Sequence, residues 1–188
     1  MSISRIKIFF QLLILFFGFS TKAQNIDTLT SEGKKSESIE LYRQVFWDNL
    51  PKPINWTNDY ENLFSDEEEA LLNQIITDFE KETSVEIAVV SIDTFKVSKE
   101  KFSDLSLHMA KTWGVGKKEK SNGILILISN GYRQIIIQNG DGIVLFLSDD
   151  ETAKIIRNQI IPYFKKEEYF KGTKVGLLKI MELLKTRL

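Results

Sequence analysis

The 188-residue chain contains no cysteine. That excludes a disulfide framework, a thiolate metal site and a cysteine nucleophile. Histidine occurs once, at His108, so a multi-histidine zinc site or a histidine-paired nucleophile would have to pass through that residue. No serine stands in a nucleophile-elbow context. No apolar run is long enough to span a bilayer comfortably, which takes roughly 20 residues, and no internal repeat is visible. Basic charge is not in excess either. The 25 basic residues are balanced by 26 acidic ones, which gives no footprint for nucleic acid.

What is present begins with an export pattern. Arg5 and Lys7 precede an apolar run from Ile8 to Phe17, followed by Thr21-Lys22-Ala23. Residues 1–23 read as a signal peptide cleaved after Ala23, so the protein is expected to be exported, to a periplasm or beyond the cell, with no transmembrane helix after cleavage. Removing Arg5, Lys7 and Lys22 leaves 22 basic residues against 26 acidic, a mildly acidic chain of 165 residues. By length this is one domain, large enough to bury a core without staples. Residues 24–52 read as a polar tether: Gln24 to Ser38 holds little that can pack, and a short helix between Ser36 and Leu50 ends near Pro51 and Pro53. Phe46 and Trp47 are placed there to dock on the domain that spans residues 53–188.

Ser65 followed by Asp66, Glu67 and Glu68 is a capping box, and Leu71, Leu72, Ile75, Ile76 and Phe79 form one apolar helical stripe. From Val85 to Ile92 the residues switch to a β-branched run, a strand buried on both faces. A second amphipathic helix carries Phe102, Leu105, Met109 and Trp113 and ends at Gly114. Ile124 to Ile128 is the next strand, and strand, helix, strand in that order predicts a right-handed crossover between parallel neighbours. Asn130-Gly131 before Tyr132–Ile137 predicts a two-residue hairpin turn with positive φ. Ser148 and Asp149 cap a helix through Ala153, Ile156 and Ile160 that is interrupted at Pro162, and Tyr169 to Thr186 forms the last helix. The fold class is therefore α/β: a small mixed sheet with a βαβ crossover, a β-hairpin and helices packed on the sheet.

The loop Trp113-Gly114-Val115-Gly116 leads through a charged stretch to Asn122-Gly123 and an abrupt buried strand. It enters a strand rather than leaving one, and it lacks the Gly-Lys-Ser/Thr ending of a phosphate cradle, so a nucleotide site is not expected. Lys117, Lys118 and Lys120, interrupted by Glu119, read as a solvated face. His108 falls between the core stripe and solvent, and Tyr132, Tyr163 and Tyr169 roof the core.

That loop, together with Asn58-Asp59-Tyr60, Leu63-Phe64-Ser65, Ile155-Ile156, Ile160-Ile161-Pro162-Tyr163-Phe164, Tyr169 and Gly172, resembles the TPM domain family from about Pro53 to Thr186. The resemblance implies an exported or membrane-tethered α/β domain that in some members binds calcium, in some is credited with acid phosphatase activity, and elsewhere serves membrane complexes as an accessory. Asp59, Asn122 and Asp149 are the positions carried over as oxygen ligands for calcium or another divalent cation, with Asp141 as a partial substitute. Two departures stand out. Where the family commonly has Gly-x-Gly-x-Glu-Gly, Gly140-Asp141-Gly142-Ile143 runs on into Val144 and Leu145, and Ser121 replaces an aspartate often found before Asn122.

Each candidate also has a purely structural reading: Asp59 holding a turn, Asn122 in a left-handed conformation before Gly123, Asp149 capping its helix. Two functions stay open. One is a binding or accessory module on an envelope or membrane-associated complex, with a weak cation site. The other is a metal-assisted phosphomonoester hydrolase using Asp59 and Asp149. No catalytic residue is assigned.

Overall fold

The computed structural model describes the backbone of residues 20–188 and the side chains from Glu32 onward. The expected export signal, residues 1–23, lies outside the described residues except for its last four. The chain divides into two units, Met1–Gln44 and Val45–Leu188. The described part of the first is helical, belonging to α1 (Ser20–Asp48). The helix expected from Ser36 therefore starts earlier, and the stretch expected to be an unstructured tether has helical backbone. No proline interrupts it and Gly33 is its lone glycine, so nothing local stops propagation before Pro51. The second unit begins at Val45 rather than Pro53 because Phe46, Trp47 and Leu50 pack on one of its cores.

Four strands form one mixed sheet in sequence order: β1 (Thr57–Asp59), β2 (Glu86–Ser91), β3 (Gly123–Ser129) and β4 (Gln134–Asn139). The first three are parallel and β4 is antiparallel to β3. The expected mixed α/β architecture is found, although the three-residue β1 is too short to announce itself by periodicity. Every residue of β3 is buried. Ile124, Ile126 and Ile128 join one core while Leu125 and Leu127 join the other, which is why the run reads as continuously apolar rather than alternating.

Helix α2 (Asp66–Thr83) starts at the expected capping box: the Glu68 amide donates to the Ser65 hydroxyl oxygen at 3.3 Å, and the Ser65 amide donates to the Glu68 carboxylate at 3.0 Å. Leu72, Ile76 and Phe79 face the first core. Helix α3 (Phe102–Trp113), closed by left-handed Gly114, sends Phe102, Leu105 and Met109 into the second. Because β1, β2 and β3 lie side by side in order while α2 and α3 cover opposite faces, the β1-α2-β2 and β2-α3-β3 crossovers have opposite hands. Only one of them obeys the right-handed preference.

The β3–β4 hairpin forms, but its connection is four residues, 130–133, rather than two. The Arg133 amide donates to the Asn130 carbonyl at 3.0 Å, and Arg133, not Asn130 or Gly131, takes the left-handed backbone with φ 52°. The amides of Asn130 and Gly131 are both directed at the Glu61 carboxylate, which sets the turn from outside the hairpin. Beyond β4 come α4 (Asp141–Val144), α5 (Asp149–Ile155), a π-helical turn (Ile156–Ile160), α6 (Ile161–Phe164) and α7 (Tyr169–Lys185). The π turn lies just ahead of Pro162, whose missing N–H removes one rung of the helical ladder, and widening the preceding turn absorbs the break.

The loop from Trp113 to Gly123 is a tight backbone crossing. The Gly116 amide donates to the Glu86 carboxylate at 2.8 Å, and Gly116 holds φ 94°. A Cβ on Gly123 would lie 2.1 Å from the Val115 carbonyl oxygen, so only glycine fits. Gly123→Ala is therefore expected to lower the unfolding free energy by about 3 kcal/mol, read as a drop in the urea midpoint at unchanged slope. At the far end, Arg187 pairs with Glu151 at 2.8 Å, and that guanidinium, helped by Ser148, holds the Glu151 carboxyl down at about 2. A depressed carboxyl contributes stability above its ordinary value of 4.5 and loses it as pH falls toward 2. The difference in urea midpoint between the wild type and Glu151→Gln is expected to shrink across that window.

Candidate functional site

The chain leaving β1 turns into α2 over one face and the chain leaving β2 turns into α3 over the other. Parting loops of this kind open a crevice outside the carboxyl ends of parallel strands. Asp59, Tyr60 and Glu61 arrive there from β1, Ser91 and Asp93 from β2, and Ser129 and Asn130 from β3.

These groups form one hydrogen-bonded latch. Buried Ser91 donates its hydroxyl to Asp59 Oδ1 and accepts from the Glu61 amide at 2.8 Å, while Asp59 Oδ2 accepts from the Phe64 amide at 2.8 Å. Glu61 reaches across the end of β2 and accepts the Asn130 amide at 2.8 Å. Asp93 accepts the amides of Phe95 and Lys96 and pairs with the Lys96 ammonium. Burial pushes the Glu61 carboxyl above its ordinary value and the charges of Asp93 and Asp59 add to the rise, opposed by the Asn130 and Gly131 amides. Glu69 on α2 is raised as well, by burial and then by Asp59 and Asp66.

Of the four residues expected as ligands, only Asp59 lies at this edge. Asn122 precedes Gly123, which pairs with Glu86 at the opposite end of the sheet, and the six residues of β2 separate the two edges by roughly 20 Å at about 3.3 Å each. Asp141 opens α4 at that far edge, where the Gly142 amide bonds the Ser121 carbonyl at 3.0 Å. Asp149 lies in the first turn of α5, which is tied to the same edge by the 2.9 Å bond from Asn139 to Thr152. The four do not form one coordination shell. Among the described residues no trio of acidic or histidine side chains is placed to hold a metal ion.

Asp59 and Asn122 do local work. Asn122 accepts the Lys117 amide at 2.9 Å and donates to the Ser84 carbonyl at 2.6 Å, and the left-handed backbone falls on Ser121 instead. Ser148, not Asp149, is the cap of α5. His108 sits at the boundary as expected, stacked on Trp47 with ring centroids 4.4 Å apart and its Nε2 2.9 Å from the Trp47 carbonyl oxygen. Glu61, Ser91 and Asp93 were not anticipated as a group. The available signal was their position at or just beyond two strand ends, which becomes meaningful only once the two helices are known to cover opposite faces.

Concavities lie beside these elements among the described residues. A shallow one of about 470 Å³ lies along α2 beside Asp66, Glu69 and Asn73. One of about 260 Å³ lies between Trp56, Trp113 and Val115. A more enclosed one, of about 310 Å³, lies between the β3–β4 turn and the Ile161–Tyr169 segment.

The latch predicts that Asp59→Ala, which strands the Phe64 amide and the Ser91 hydroxyl, lowers the unfolding free energy by about 2 kcal/mol, while Asp59→Asn loses less; urea titration reads both. A solved N-terminal domain of a protein from P. gingivalis is 26% identical, with a TM-score of 0.64 over 70% of this chain and 83% of its own. The BA42 protein of the psychrophilic bacterium Bizionia argentinensis is 27% identical, with a TM-score of 0.59 over 69% of this chain and 86% of its own. The N-terminal domain of cg2496 from Corynebacterium glutamicum shares the fold at 16% identity, with a TM-score of 0.51 over 73% of this chain and 84% of its own. No curated protein is significantly similar to the sequence. The model of the TPM domain matches residues 57–183, from the first residue of β1 into α7, and the chain therefore belongs to the TPM domain family.

Proposed function

We propose that this TPM domain is a binding or accessory module of the cell envelope rather than a hydrolase. The observation that carries the reading is the state of the crevice carboxylates. Both oxygens of Asp59 accept protein donors, Glu61 is directed at two backbone amides, and Asp93 is paired with Lys96. Carboxylates engaged in this way hold loops together, and a divalent cation would have to displace an ammonium and several N–H groups to gather the six to eight oxygens it prefers. The donor set does not fit such a cation, so no chemical step is assigned through one. The envelope location rests on the Arg5 to Ala23 export pattern, and among the described residues no helix is long and apolar enough to cross a membrane.

A second reading, phosphomonoester hydrolysis, is favoured by one feature: Glu61 and Glu69 sit near other acids with their carboxyls raised, and a raised carboxyl is suited to proton donation. Two experiments separate the readings. Affinity capture by the full chain from envelope extracts of the native host is expected to recover a reproducible partner, and an empty capture counts against the accessory role. Assay of purified protein with p-nitrophenyl phosphate, with calcium, magnesium or manganese added, is expected to show no turnover. Turnover abolished by Glu61→Gln would replace the first reading with the second.

A further inference from the structure

The cavity of about 310 Å³ between the hairpin turn and α6 lies beyond the latch and has a different character. Its apolar wall is Ile161 and Phe164. Arg133 and Lys165 line it, and among the described residues neither pairs with an acid. Glu167 also lines it and is in no ion pair among the described residues, so charges of both signs stand around one apolar floor. Gln134 lines it as well, but its side-chain oxygen is sealed beneath the wall, out of an occupant's reach. The walls are also strained at two points: Arg133 holds φ 52° and Glu167 φ 62°, conformations that side-chain-bearing residues adopt at a price and that gather at binding sites. The π-helical turn, another feature found often at functional sites, runs directly into Ile161.

We propose that this cavity binds a small zwitterion, an α-amino acid or short peptide with an apolar side chain, its carboxylate taken by Arg133 and Lys165, its ammonium by Glu167, and its side chain laid on Ile161 and Phe164. The volume lies at the lower end of small-molecule sites, which excludes a dinucleotide or a long chain. A phosphate monoester satisfies the two cations, but its double charge meets Glu167 and it offers that carboxylate no cationic donor. Tyr169, which also lines the cavity, is tied by its hydroxyl to Asn130, whose amide Glu61 accepts, so an occupant of the cavity presses on the latch through two hydrogen bonds.

The experiment uses the intact protein and backbone amide NMR with L-leucine and L-phenylalanine as probes. Shifts are expected at 133–134 and 164–169. A carboxylate without the amine, 3-phenylpropionate, is expected to bind about tenfold more weakly, as is the protein carrying Arg133→Asn, a substitution that keeps a residue tolerant of positive φ. Glu167→Gln is expected to weaken the amino acids but not 3-phenylpropionate, because it removes only the charge that meets the ammonium. The proposal is overturned if neither amino acid shifts those amides, if inorganic phosphate shifts them and the amino acids do not, or if Arg133→Asn and Glu167→Gln leave affinity unchanged. None of these outcomes bears on envelope capture or phosphatase assays, so this site and the accessory reading fail separately.

Discussion

The strand Gly123–Ser129 is buried on both faces, and the rest of the molecule follows from that constraint. A strand with no solvated face must be covered twice, so the helices divide between two cores: α2 and α7 over one, α3 and the end of α1 over the other. At roughly 2–5 kcal/mol for truncating a buried isoleucine or leucine to alanine, the five apolar residues from Ile124 to Ile128 hold a large part of a marginal total. Covering both faces from consecutive crossovers makes the loops after β1 and β2 part. The same requirement that fills the cores therefore brings Asp59, Ser91 and Glu61 together at the carboxyl edge.

The two edges of the sheet are closed by different means. At the amino edge the chain passes over itself backbone to backbone, with Gly116 and Gly123 allowing an approach that any Cβ would block and Asn122 bridging Lys117 and Ser84. At the carboxyl edge the closure is polar and charged: Asp59, Ser91 and Glu61 tie three strand ends together, and burial raises the Glu61 carboxyl as a consequence. A glycine crossing is rigid and specific but offers a partner little beyond exposed lysines. A carboxylate latch with a polar cavity next to it presents directional groups, so recognition is better placed at that edge.

Much of the fold was legible in the sequence because it rests on local signals. The Ser65–Glu68 box, the Gly114 stop, the Leu72-Ile76-Phe79 stripe and the β-branched strands each report on a few neighbouring residues, and neighbours decide capping and periodicity. The hairpin was legible in its existence and not in its geometry. Asn130-Gly131 favours a two-residue turn by itself, yet Glu61, far away in sequence, captures both amides and moves the left-handed residue to Arg133.

The site was legible only in part, for the same reason. Asp59 could be singled out by its motif, but residue types and spacing do not reveal that Asn122, Asp141 and Asp149 belong to the opposite edge of the sheet. Local chemistry therefore determined the elements, the cysteine-free and mildly acidic character and the family of this protein. Tertiary structure alone decided which acids meet, since the meeting of Glu61 with Asn130, of Ser91 with Asp59 and of the two walls of the 310 Å³ cavity depends on which face each helix covers, and hydrophobic periodicity is the same for either face.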